Sequence, residues 1–315
     1  MENAPHPPPF PAPRSPRPRI LFVNVYMHAK NLNAITQYKN IDLDIVSSPL
    51  ELSQKNIADY RVVYSPAVLL DVQYFPNTFF IFGPHYSVFP NQQLIKIAGY
   101  ENVVYLQPSD WARDTWRGSM LCRKLRIETL PFGVDTEKFA PIASHDDIAP
   151  YIPISPPVFI YFKRRHPLEL DAVCDYLRRC GISYKVFNYV DGYKEENYIE
   201  YLKHAKYGIW LGSHESQGFA LLEALSCNVP LLVWNVTSMS QEYGTHNPNI
   251  PATTIPYWDE RCGEHFTMFY DMEKTHNTFL ANCKTEKYRP REYVLENLTM
   301  EKCEARLIEM TRTSI

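Results

Sequence analysis

Glycine is scarce in this chain. It supplies 11 of 315 residues, about half the usual ~7%. A phosphate-binding loop of repeated glycines therefore has little to be built from. Residues 27–35 (MHAKNLNAI), which follow the first strand-like run, contain none. Long apolar runs are also missing. None approaches the ~20 residues that a membrane-spanning helix needs, and the N-terminus lacks the charged-then-apolar pattern of a secretory signal. The seven cysteines are odd in number and form no CxxC pair, so neither a disulfide framework nor a structural zinc site is expected. Reduced thiols fit a cytoplasmic protein. Excess charge is lacking too. The formal net charge is −3 and no basic stripe dominates, so nucleic acid is not an expected partner.

Other features are abundant. Hydrophobic residues make up 45% of the chain and tyrosines number 22. A tyrosine offers a flat apolar ring and one hydroxyl, which suits sugars, bases and ordinary cores alike. Residues 1–18 hold eight prolines. Such a segment cannot sustain ladder hydrogen bonds and reads as a disordered leader.

From residue 19 to 140, short apolar runs recur at 20–27, 43–46, 61–65, 79–82 and 103–106, each bounded by Pro, Asn, Asp or Gly. Strands buried on both faces have this appearance. Helical stretches are expected at 92–98 and 110–125, with Ser109 or Asp110 near a helix start. Residues 141–157, rich in proline, read as a linker. The alternation restarts at 158: strand 158–162, helix 166–180 ended by Gly181, strand 184–189, helix 197–205, strand 208–211, helix 217–226 and strand 230–234. The expected fold class is α/β, two Rossmann-like domains facing across a cleft, with ligands at the carboxyl ends of the strands. The second domain spans 158–315, and its last helix is a candidate to pack back on the first.

The most informative stretch is 212–235, GSHESQGFALLEALSCNVPLLVWN. A strand ends at Gly212, a polar turn follows, and Gly218 opens an apolar helix. The free amides at that helix start, with the helix dipole, can receive an anion, and a pyrophosphate is the obvious guest. Glu223 lies inside the apolar pattern and needs a partner, for which ribose hydroxyls are suited. Glu215 precedes the helix and faces the expected cleft, where it can hold a sugar hydroxyl. A plain cap for Glu215 and a surface position for Glu223 are the bland alternatives.

This stretch resembles the Glu-x7-Glu signature of retaining GT-B glycosyltransferases, family 4 in particular. Ser213, Glu215, Gly218, Leu222-Glu223-Ala224 and Pro230 stand in the family's places, while Cys227-Asn228-Val229 replaces the usual glycine before that proline. Residues 130–139 (LPFGVDTEKF) resemble a second family element, with Phe132 in place of its asparagine. The resemblance covers roughly residues 100–310. It implies the GT-B fold and retaining transfer of a hexose from a nucleotide diphosphate sugar, of GDP-mannose or UDP-glucose type, to a glycan or protein-linked sugar, with no metal or other cofactor required. It implies that Glu223 binds the ribose, Glu215 the transferred sugar, and the amides near Gly218, Phe219 and Ala220 the diphosphate. Two of Lys163, Arg164 and Arg165 would meet the diphosphate, with a surface patch as the alternative. His85 would sit on the acceptor side against the donor sugar. Tyr189 or Tyr193 would stack on the base, and Asp110 and Arg113 are candidates for acceptor contacts. The glycine-free segment at 27–35 departs from many relatives, and Lys30 is the residue that could compensate. The short N-terminal half marks a divergent member, a virus-encoded one included. A nucleotide-sugar epimerase of the same architecture, a non-catalytic nucleotide-sugar-binding module and a scaffold using the proline-rich leader are the rival readings.

Overall fold

The computed structural model describes residues 17–142 and 157–312. Most of the expected leader (1–18) and of the expected linker (141–157) lies outside them. The first half alternates β1 (Arg19–Val23), α1 (Ala29–Thr36), β2 (Asp42–Val46), α2 (Pro49–Ser53), β3 (Val62–Ser65), β4 (Phe79–Phe82), β5 (Val103–Gln107), α3 (Asp110–Arg117) and β6 (Ile127–Thr129). The strands form one sheet in the order β2-β1-β3-β4-β5-β6, and every pairing is parallel. All residues of β3, β4 and β5 are buried. Cover on both faces explains why they read as unbroken apolar runs rather than as an alternation.

The second half contains β7 (Val158–Lys163), α4 (Pro167–Arg179), β8 (Tyr184–Asn188), α5 (Glu195–His204), β9 (Tyr207–Gly212), α6 (Phe219–Ser226), β10 (Leu231–Trp234), β11 (Gly263–Phe266), α7 (Met272–Lys284), α8 (Pro290–Asn297) and α9 (Met300–Arg312). Its sheet runs β11-β10-β9-β7-β8, again all parallel. Both sheets reverse strand order next to their first strand, between β1 and its neighbours and between β7 and its neighbours. Crevices open at the carboxyl ends of strands at such points.

Some expected elements are shorter. The helix anticipated over 110–125 stops at Arg117, because Gly118 caps it and a 3-10 turn at Met120–Cys122 follows. The segment 92–98 forms a 3-10 helix at Gln92–Lys96. Ser109 occupies the N-cap position of α3 without a side-chain cap hydrogen bond. Its hydroxyl is buried without a partner.

Residues 130–139 form the seam between the halves. Val134 donates its amide to the Leu298 carbonyl at 2.9 Å and bridges in parallel to Thr299. The Phe132 amide and carbonyl both pair with the Gln217 side chain, at 3.1 and 2.9 Å. Arg291 on α8 donates to the carbonyls of Phe139, Ser226 and Thr136, at 3.1, 2.7 and 3.0 Å. The chain then returns: Cys303 and Leu307 of α9 are buried in the apolar cluster of the first sheet, among Ile20, Phe22 and Ile81. At Gly133 the backbone passes so close to the start of α9 that a methyl group would overlap the backbone of Met300. Gly133→Ala is therefore expected to lower the unfolding free energy by roughly 1–3 kcal/mol through overpacking, measured by urea titration. An unchanged midpoint would show that the seam yields.

Candidate active site

The carboxyl ends of β1, β4, β5, β7 and β9 open onto one cavity of about 560 Å³. Each contributes the residues that follow it: His28 and Lys30 after β1, His85 after β4, Trp111 after β5, Lys163 at the end of β7, and Glu215 to Ala220 after β9. The site is thus made where two parallel sheets point their carboxyl ends at each other.

The turn between β9 and α6 sets the chemistry. Gly218 is the N-cap of α6 with φ 77° and carries no side-chain cap hydrogen bond. That left-handed conformation is easy only for glycine. The first amides of α6 are consequently left for a ligand, and the helix dipole favours an anion there. Gly218, Phe219 and Ala220 all line the cavity. Tyr198 fixes the helix by donating its hydroxyl to the Ala220 carbonyl at 2.9 Å.

Glu215 is held by its backbone. Its amide donates to the Thr253 carbonyl at 2.9 Å, and its carbonyl accepts from Trp111 Nε1 at 2.9 Å across the two halves. The carboxylate accepts from Lys163 Nζ at 2.7 Å. That ammonium lies 4.7 Å from the centre of the Tyr189 ring, within cation–π range.

Glu223 is only 3% exposed. It lines a smaller pocket of about 230 Å³ with Lys30, Tyr189, Tyr193 and Glu195. This pocket shares Lys30, Tyr189 and Tyr193 with the larger cavity. Burial pushes the Glu223 carboxyl above its ordinary range, and the Lys30 ammonium, which donates to it across the cleft, opposes that shift. Lys30 also meets Glu195 at 2.6 Å, and Glu195 is bonded in turn by Lys138.

His85 lines the cavity. Its amide is anchored to the Pro66 carbonyl at 3.0 Å, while its Nε2 is buried without a protein partner. Burial lowers its pKa to about 4, so the ring is neutral near pH 7.

The cations after β7 separate. Lys163 faces the cavity, whereas Arg164 and Arg165 line neither pocket. Arg164 takes φ 50° and donates to Glu242 at 2.7 Å. Arg165 is 1% exposed. Its guanidinium bonds both Glu169 oxygens and the carbonyls of Gly212 and Trp234, and it lies over the Trp234 ring. Its donors are spent on holding β7, β9 and β10 together. Arg165, expected from sequence among the candidates for a donor contact, is thus committed to these partners and does not line the cavity. Arg164 is likewise not brought into the cavity. Asp110 and Arg113 pair with each other at 2.7 Å, outside the cavity lining. Trp111 was not singled out from sequence. The available signal was an indole in the first turn of a helix at a strand's carboxyl end. Among the described residues, no group of three or more His, Cys, Asp or Glu is placed to hold a metal, and no helix is long and apolar enough to cross a membrane.

Scans against protein-family models and against curated proteins find no match in sequence. Solved structures do match in shape. The N-terminal domain of trehalose-6-phosphate phosphatase from Candida albicans is 12% identical with a TM-score of 0.61, covering 94% of this chain and 97% of that one. Sucrose-phosphate synthase from Thermosynechococcus elongatus is 11% identical, TM-score 0.54, over 94% and 99%. The catalytic domain of starch synthase IV from Arabidopsis thaliana, bound to ADP and acarbose, is 11% identical, TM-score 0.52, over 84% and 75%. The chain has the GT-B fold. At these identities the likeness establishes the architecture, and the chemistry has to be argued from the GT-B cleft of this chain itself.

The buried carboxylate gives a test. Because burial raises the folded-state pKa of Glu223 above its ordinary 4.5, stability is lost as pH rises from that ordinary value through the folded-state one, and it stays lost above it. Gln cannot ionise. Glu223→Gln should therefore gain stability relative to the parent as pH goes from about 5 to 8, read as the difference in unfolding midpoints. A difference that is flat or falls with pH would mean that the pairing with Lys30 outweighs burial.

Proposed function

We propose that this chain is a retaining glycosyltransferase that moves a hexose from a nucleotide diphosphate sugar to a glycan or protein-linked sugar, with no metal needed. The observation that carries the reading is the shared position of Glu215, Lys163 and the uncapped start of α6 in one cavity, with Glu223 in the pocket that adjoins it.

In this reading the diphosphate sits on the amides of Phe219 and Ala220, and Lys163 leaves Glu215 to meet it. As the bond between sugar and phosphate breaks, negative charge collects on the leaving diphosphate. Fixed amides, a helix dipole and an ammonium stabilise that charge where water is scarce. Glu215, then free of Lys163, accepts hydroxyls of the hexose. The nucleoside extends into the smaller pocket, where Glu223 takes the ribose hydroxyls and Tyr189 or Tyr193 offers a ring to the base. His85, neutral, offers a hydrogen bond on the acceptor side. The donor is of GDP-mannose or UDP-glucose type by sequence resemblance, and the cytoplasm is the proposed location.

Incubation with UDP- and GDP-sugars is the first experiment. Release of free nucleotide supports transfer. Binding without turnover would point to a non-catalytic module, and interconversion of the sugars to an epimerase. Glu223→Ala is expected to weaken nucleotide binding by about 1.5–3 kcal/mol, the worth of a charged hydrogen bond, as measured by calorimetry. Glu215→Ala should lower kcat while leaving nucleotide affinity close to the parent's. The opposite pattern would overturn the two assigned roles.

A further inference from the structure

The cavity is divided by charge. Its lysines and its carboxylate are Lys163 and Glu215 of the second half, beside the start of α6, and Lys30, which comes from α1 of the first half but reaches over to Glu195 and Glu223. The other wall is built by residues 84–116, and every one of them that lines the cavity is uncharged. His85 is neutral because burial holds its pKa near 4. The cations of α3 do not help: Arg113 is paired with Asp110 and Asp114, Arg117 donates to the Ile127 carbonyl, and neither lines the cavity.

What this wall offers is ring and apolar surface with few polar atoms. Trp111 Nε1 is already bonded to the Glu215 carbonyl, so the indole contributes its apolar body. Val88 and Phe89 add apolar area. The buried Nε2 of His85, which has no protein partner, and the buried Gln107 supply hydrogen-bonding capacity without net charge.

Resting on the donor reading above, we infer that the acceptor subsite takes an uncharged pyranosyl unit and excludes sugar phosphates. A pyranose has an apolar C–H face that matches an aromatic wall, and hydroxyls that match a neutral imidazole and an amide. A phosphate ester carried to the same wall would lose its hydration and find no cation there. Among the described residues the cavity is lined by two lysines: Lys163 is committed to the donor diphosphate in the proposed complex, and Lys30 is held by Glu195 and Glu223.

The test compares matched ligands on the full chain saturated with UDP or GDP, whichever binds. Methyl α-glucoside, methyl α-mannoside and maltose are titrated against glucose 6-phosphate and mannose 6-phosphate by calorimetry. At least one neutral sugar should bind, with the phosphates about tenfold weaker or more. Val88→Arg places a cation on this wall at an exposed position and should narrow that gap by strengthening the phosphates. Sugar phosphates binding as tightly as the neutral sugars would overturn the inference. So would no binding by any neutral sugar at about 50 mM, roughly fiftyfold above the ~1 mM upper end of common KM values. Failure of both nucleotides to bind would strike the donor reading instead, and the sugar comparison would then be read on the free protein.

Discussion

A carboxylate with 3% of its surface exposed cannot sit in an apolar helix without a partner, and among the described residues Glu223 finds its ion-pair partner across the cleft. Five residues of α6 besides Glu223 are buried; four are apolar, and the fifth, Ser226, donates its hydroxyl to the Phe139 carbonyl instead. The ammonium that meets it comes from α1 of the other sheet. The electrostatics of the second domain are therefore completed by the first. The seam at residues 130–139, the Gln217 clamp on Phe132 and the return of α9 all hold the two sheets at the distance this pairing requires.

The fold was legible because both sheets are parallel and covered on both faces, so their strands appear in sequence as contiguous apolar runs. β4 reads FFIF and was bounded correctly at both ends. The α6 turn was legible for a different reason: two carboxylates eight residues apart around a glycine form a pattern that ordinary packing does not ask for. Pairings at long range were not legible. Lys30 and Glu223 are 193 residues apart, and nothing local to either signals the other. Lys30 stood out only because its segment lacks glycine.

The three cations after β7 show a sharper limit. In sequence Lys163, Arg164 and Arg165 form one basic run. In the fold, the φ of 50° at Arg164 turns the chain so that successive side chains diverge. One enters the cavity, one reaches Glu242, and one goes under Trp234 to bind carbonyls of two strands. A backbone angle decides which cation is available for chemistry, and no composition rule encodes it. Arginine suits the buried place, since its planar fork can satisfy a carboxylate and two carbonyls at once. The compact lysine ammonium suits a place where it has to change partners.

Changing partners is what the donor side requires on the proposed reading. In the cleft Lys163 neutralises Glu215 and Lys30 neutralises Glu223, so both carboxylates that would bind sugar hydroxyls are occupied. A diphosphate brings two or more negative charges to the start of α6. That releases Lys163 from Glu215 in exchange for a stronger anion, so no ammonium is left unpaired. Lys30 also has a second acceptor, Glu195, at 2.6 Å. It can yield Glu223 to a ribose while remaining in an ion pair. The site thus trades one set of satisfied charges for another, and this keeps the desolvation cost of binding low. On that reading a cleft without glycines after β1 accepts a diphosphate with one glycine-opened turn and two lysines that exchange partners, where a longer glycine-rich loop would otherwise be needed.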